Sequence, residues 1–155
     1  MNANHINAIC RATKTILQSH FGVEVQQQKP TVNIGSVSSN QVSVLLGVKG
    51  QLSGQIICSF SKDTAQKLVG IMMGGMEITT LDEMGWSAVQ EFGNWVAGTT
   101  ATELSKEECI IDVTPPIVND GESQFRSKQT FISIPHQSPI GDIEIHISVV
   151  ESVVA

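Results

Sequence analysis

The chain repeats itself. At an offset of 87 residues (141 − 54 = 87), Gly54-Gln55-Ile56-Ile57-Cys58-Ser59-Phe60-Ser61 lies on Gly141-Asp142-Ile143-Glu144-Ile145-His146-Ile147-Ser148. Val44-Leu45 then lies on Phe131-Ile132, Pro30 misses Pro116 by one residue, and Ile6 and Ile9 meet Gly93 and Val96. A period this long does not fit a solenoid, whose units are a few tens of residues, and points to a pseudo-twofold domain. The predicted fold is α+β: a helix followed by three strands, twice, giving one sheet of about six strands, mixed or antiparallel, with the helices on one face. The halves cover about 1–60 and 82–155 of a single domain spanning 1–155, linked by a helix at about 61–75.

Local patterns fill in this frame. Ile6, Ile9, Cys10, Thr13, Ile16 and Leu17 recur at helical spacing over Asn2 to His20, and Gly22 is placed to take the left-handed conformation that closes a helix. Val23 to Gln28 reads as a short strand stopped by Pro30. Gln41 to Lys49 and Gly54 to Phe60 read as two more strands, joined by a turn at residues 49–53. Ser61 starts a helix over Asp63 to Met73 that ends at Gly74-Gly75. Thr79, Thr80 or Asp82 caps the longest helix, within the proline-free run Leu81 to Lys106. Strands follow at Glu108 to Val113, Lys128 to Ile134 and Gly141 to Val150, separated by Pro115-Pro116 and a Pro135–Pro139 turn.

At 155 residues, 41% hydrophobic and 15% charged, the chain has material for one packed core. The net charge of −6 and the lack of any Lys/Arg cluster argue against nucleic acid or an anionic membrane as partner. No transmembrane run and no signal peptide are visible, so the cytoplasm is the expected location. Cys10, Cys58 and Cys109 are odd in number and far apart, which fits buried thiols rather than a metal site or disulfide framework. His5, His20, His136 and His146 are scattered; no catalytic triad, phosphate loop or metal cage stands out.

Within the long helix, at 100° per residue, Ser87, Glu91, Asn94 and Gly98 fall in one outward stripe, with Ala88, Val89, Phe92 and Val96 opposite. A carboxylate and a carboxamide thus stand side by side. Such pairs are common on solvated helix faces, but Gly85, Gly93 and Gly98 each cost about 1 kcal/mol relative to alanine in a helix interior. Gly98 shares the stripe and leaves it open to a partner's backbone. Gly93, with Trp86, Ala97 and Leu104, forms a flank expected to seat the first helix. Trp86 and Trp95 flank the stripe, Trp95 being a candidate for partner contact. Met72-Met73-Gly74-Gly75-Met76 reads as helix-end packing or an adaptable contact surface. On the overlay Glu91 and Asn94 land on Asn4 and Asn7, a degenerate second copy of the same stripe.

Ser87-x-x-x-Glu91-x-x-Asn94, followed by Pro115-Pro116, resembles the signature of the CheC/CheX/FliY phosphatases of bacterial chemotaxis, and the duplicated layout is similar to that family across nearly the whole chain. The single complete copy of the motif resembles the CheX branch, whose members are typically homodimers. The resemblance implies hydrolysis of the aspartyl phosphate of a CheY-like receiver, with Asn94 orienting the attacking water and Glu91 pairing with a receiver lysine. It implies no cofactor or metal in this chain, and Mg²⁺ in the partner receiver. The rival readings are a non-catalytic receiver-binding or flagellar-switch-type module, and a small-molecule sensor using the sheet face.

Overall fold

The computed structural model describes residues 2–152. Its elements are α1 (Ala3–Phe21), β1 (Gln26–Gln27), β2 (Thr31–Ser38), β3 (Val42–Gly50), β4 (Leu52–Phe60), α2 (Lys62–Met72), α3 (Glu83–Lys106), β5 (Ile111–Val113), β6 (Ile117–Asp120), β7 (Gln124–Gln137) and β8 (Ile143–Glu151). The helix ends are fixed by their own residues. The Asn2, Ser61 and Asp82 side chains accept from the N–H groups of Asn4, Thr64 and Gly85, each satisfying a first-turn donor left over by the helix. Gly22 closes α1 at φ 64°, a conformation costly for any residue with a Cβ.

One sheet of eight strands runs β1-β7-β8-β4-β3-β5, with β2 also on β7 and β6 also on β3. Every ladder is antiparallel. Only β3·β4 and β7·β8 join strands of the same half; β4·β8 joins the two hairpins at the centre, β1 and β2 are lent to the second half's β7, and β5 and β6 to the first half's β3. Each half therefore supplies four strands rather than three. Thr31–Ser38 and Ile117–Asp120 are the additions. The strand expected over Val23 to Gln28 shrinks to two residues, and β7 is twice as long as its sequence pattern indicated.

The β4·β8 ladder pairs Cys58 with Ile145, the two residues that the offset of 87 equates. For β3 and β7 that offset fails. Val44 lies opposite Cys58 and Ile134 lies opposite Ile145, so Val44 corresponds to Ile134, not Phe131. The shift is odd (134 − 44 = 90, three more than 87), and an odd shift turns a strand over: Val44 belongs to the core beneath the helices, whereas Phe131 packs with Val37 and Ile57 on the opposite face. Between the matched positions the β3–β4 hairpin spans 14 residues (58 − 44) and the β7–β8 hairpin 11 (145 − 134), so the second hairpin turns back three residues sooner.

The main core lies between the sheet and the helices. Val42, Val44 and Leu46 of β3, Ile56, Cys58 and Phe60 of β4, and Ile143, Ile145 and Ile147 of β8 meet Ile9, Leu17, Leu68, Val89, Phe92 and Val96 there. Burial of these side chains at about 25 cal/mol per Å² is what holds α3 rigidly in place. α1 runs antiparallel to α3: Arg11 bridges Glu103 and Glu107 at 3.1 and 3.2 Å, while Phe21 meets Phe92 edge-on at 5.7 Å. No helix among the described residues is long and apolar enough to cross a membrane.

Candidate functional site

Phe92, Gly93, Val96, Ala97, Thr100 and Leu104 turn α3 inward and are buried. With that face committed to the core, Ser87, Glu91, Asn94 and Gly98 are left exposed on the outside, one and two turns apart as their spacing requires. The three glycines of the helix differ in role. A Cβ on Gly93 would stand 2.8 Å from both the Pro116 Cβ and the Val44 Cγ1. Gly93 therefore lets α3 settle directly onto the sheet and onto the loop before β6; it does not seat α1, as its sequence position suggested. A Cβ on Gly98 would have no neighbour within 4 Å, so nothing inside the protein calls for a glycine there. Gly85 is buried against Leu81.

Pro116 is buried and Pro115 exposed. Because Pro116 presses on Gly93, between Glu91 and Asn94 in sequence, it sets the height at which the two polar side chains stand above the sheet. On the flank, Trp95 is half-buried, with the His20 ring at 4.7 Å and a 30° tilt and Phe21 at 6.1 Å. This makes a fixed aromatic shelf one turn from Glu91, and His20 joins the site's surroundings without any sequence signal beyond its place at the end of α1. Met84 was also missed. It is 66% exposed and lies seven residues before Glu91, within about 20° of the same azimuth. Met72 and Met73 pack against the core as helix-end residues, whereas Met76 is 61% exposed.

Asn4 and Asn7 are exposed on α1, and Arg11 takes the place corresponding to Gly98. Its guanidinium is held in its charged form mainly by Glu103, and then by Glu107. Burial tends to raise the Glu103 carboxyl, but Arg11 and Lys106 outweigh it and hold it below the usual range. The α1 face is thus filled and charge-paired where the α3 face is open.

Other reactive groups are used structurally. Ser133 Oγ lies 2.6 Å from His146 Nδ1, and Glu144 Oε1 lies 3.7 Å from the same nitrogen. A nucleophile and an orienting carboxylate must occupy different ring nitrogens, and Ser133 is fully buried. Burial pushes His146 down to about 4, so it is neutral at pH 7. Cys10 and Cys58 are pushed up to about 12 by burial, which removes them as nucleophiles. Among the described residues no three His, Cys, Asp or Glu side chains converge to hold a metal.

The family model of chemotaxis phosphatase CheX matches residues 42–137, a stretch that contains α3 and its stripe. The chain is 35% identical over 152 residues to the CheY-P phosphatase CheX of Thermotoga maritima, covering 96% of this chain and 97% of that protein. This is a CheX-family chain. Solved structures agree with the CheX fold over nearly its full length. A CheC-like superfamily protein from Shewanella sp. PV-4 superposes with a TM-score of 0.86 at 25% identity, covering 97% of this chain and 99% of that one. The CheX chain of a CheX–CheY–BeF3–Mg²⁺ complex from Borrelia burgdorferi gives 0.77 at 26% identity, covering 95% and 98%.

Proposed function

We propose that this protein hydrolyses the aspartyl phosphate of a CheY-like receiver, with Glu91 and Asn94 as the residues inserted into the receiver's site. The observation that carries this is the geometry of α3: an acid and an amide, exposed side by side on a helix whose other face is locked into the core. The named relative is a CheY-P phosphatase, and the Borrelia complex pairs a similar CheX with CheY. Both support the receiver as substrate.

The chemistry needs little from this chain. An acyl phosphate is already activated, and the receiver supplies its own Mg²⁺, so what remains is to position the attacking water and exclude poor geometries. The Asn94 carboxamide does not titrate and cannot act as a base; it donates to or accepts from a water held in line with phosphorus. That water's oxygen bonds to phosphorus as the bond to the aspartyl oxygen breaks, the carboxylate leaves, and inorganic phosphate is released. Glu91 pairs with the receiver lysine beside the phosphoryl group and fixes the register. Gly98 allows the receiver backbone to come close, Trp95 contacts it from the shelf, and Ser87 extends the contact toward the start of the helix. Asn4 and Asn7 form a degenerate counterpart that lacks the acid.

The protein acts in the cytoplasm, where receivers are found, and as a homodimer. The dimer contact we favour is β2, at the margin of the sheet, where Val32 and Ile34 are 67% and 89% exposed; a marginal strand with apolar side chains invites pairing with a second copy. Phosphate release from a panel of phosphorylated receivers of the same genome, with and without this protein, tests the activity. Faster release from at least one receiver is the expected result. Binding without faster release would turn the reading into that of a non-catalytic module.

A further inference from the structure

The stripe of polar and small residues on α3 does not stop at Ser87. Met84 continues it toward the helix start, seven residues or ~10 Å along the axis from Glu91 and ~15 Å from Asn94. Its side chain is 66% exposed and, unlike Met72 and Met73, it is not among the half-buried side chains packed on the core. A methionine at this place contributes nothing to the helix start, where acids and small polar residues are favoured. Beside it in the chain Asp82 and Glu83 are exposed, and no Lys or Arg occurs between Lys67 and Lys106 in the sequence. An isolated, flexible apolar side chain beside two acids, continuous with the reacting stripe, has the make-up of a docking anchor.

We infer that Met84 is the apolar anchor of receiver docking, filling a hollow on the phosphorylated receiver that is rimmed by basic side chains and lies about two helical turns beyond the lysine that Glu91 engages. This rests on the receiver reading above and adds to it a residue that sets which receiver is accepted. Because Met84 sits well away from the phosphoryl group, it acts on binding and leaves the chemical step alone. The acids beside it speed the encounter through long-range attraction, which salt screens.

The test uses the full chain and the receiver that the panel selects. Affinity is measured by titration with that receiver loaded with beryllofluoride and Mg²⁺, and KM and kcat are measured with the phosphorylated form. Met84→Ala is expected to weaken binding and raise KM by roughly tenfold, with kcat within about twofold, an unchanged melting temperature, and recovery in Met84→Leu. Raising the salt should weaken binding of the wild type. Unchanged affinity and KM in Met84→Ala, a loss confined to kcat, or a loss that tracks a lowered melting temperature would each overturn the inference. Asn94→Ala run in parallel separates the two readings: it should bind the beryllofluoride-loaded receiver normally while losing turnover. If wild type binds the receiver and Met84→Ala binds it equally well, only the anchor fails. If wild type binds no loaded receiver and speeds no phosphate release, the functional reading fails and the anchor with it.

Discussion

α1 and α3 are the same helix put to two uses. Shifted by 87, their buried positions coincide: Ile9 with Val96, Cys10 with Ala97, Thr13 with Thr100, Leu17 with Leu104. Their outer faces share almost nothing. Where α3 has Glu91, Asn94 and Gly98, α1 has Asn4, Asn7 and Arg11, the last tied down by Glu103 and Glu107. The inner code specifies a place on the sheet. The outer code is free, so one copy can keep an open polar stripe while the other is tied into the scaffold.

The sharpest test of that division is Asn94→Ala. It should lower the rate of receiver dephosphorylation by on the order of a hundredfold or more, the scale for removing one aligned transition-state contact, without changing the melting temperature, since Asn94 is exposed. The corresponding Asn7→Ala should leave turnover as it is. Equal effects of the two in a phosphate-release assay would show that the helices are not divided in this way.

The inner face breaks differently. Gly93 corresponds to Ile6, yet Gly93→Ala would drive a methyl group to 2.8 Å from Pro116 and Val44. Chemical denaturation should show a loss of about 1–3 kcal/mol, the range for overpacking a filled site.

A comparison of β4 with β8 gives the next effect. His146 corresponds to Ser59, so only the second half carries a buried imidazole at this place. Burial pushes its pKa down to about 4 in the folded protein, from about 6.5 for a free imidazole. The unfolded chain therefore binds the extra proton first as the pH falls below 6.5, and stability is lost between there and about 4, with no further loss from this group below that. By pH 5 this is on the order of 1–2 kcal/mol, one unit being about 1.4 kcal/mol. Thermal melts of His146→Gln should show a flatter decline over the same window.

Gly98→Ala should have the smallest effect and the most informative sign. With open space around it, the added methyl should stabilise the helix by up to about 1 kcal/mol, while receiver dephosphorylation slows. A variant that is more stable and equally active would show that the gap opposite Arg11 has no partner to admit.

α1 and α2 were legible because their apolar period is strong, and all three helices because their caps are local: Gly22 and Ser61 sit at the ends they were read to mark, and of the three caps offered for α3 the helix uses Asp82. The exposure of the Ser87–Gly98 stripe was legible too, since it follows from where Phe92 and Val96 point. β2 and β6 were not legible. Val32, Ile34 and Ile117 face outward, so these strands lack a one-sided core pattern, and their partners β7 and β3 are far away in sequence. The neighbours of Gly93 were illegible on similar grounds, because Pro116 and Val44 arrive from two other elements. The misplaced overlay of Val44 on Phe131 came from a three-residue difference in the length of the two hairpins, which no local pattern reveals.

The lending of β1 and β2 to one hairpin and of β5 and β6 to the other has a bearing on how such a molecule can be divided. A cut in the α2 link would yield two fragments, each with a hairpin stripped of its flanking partner and two strands with nothing to pair on. Neither should hold its shape in isolation; mixed together, they should recover the whole by complementation. The doubled pattern is therefore one object interlaced from two halves, and damage to either is felt by both.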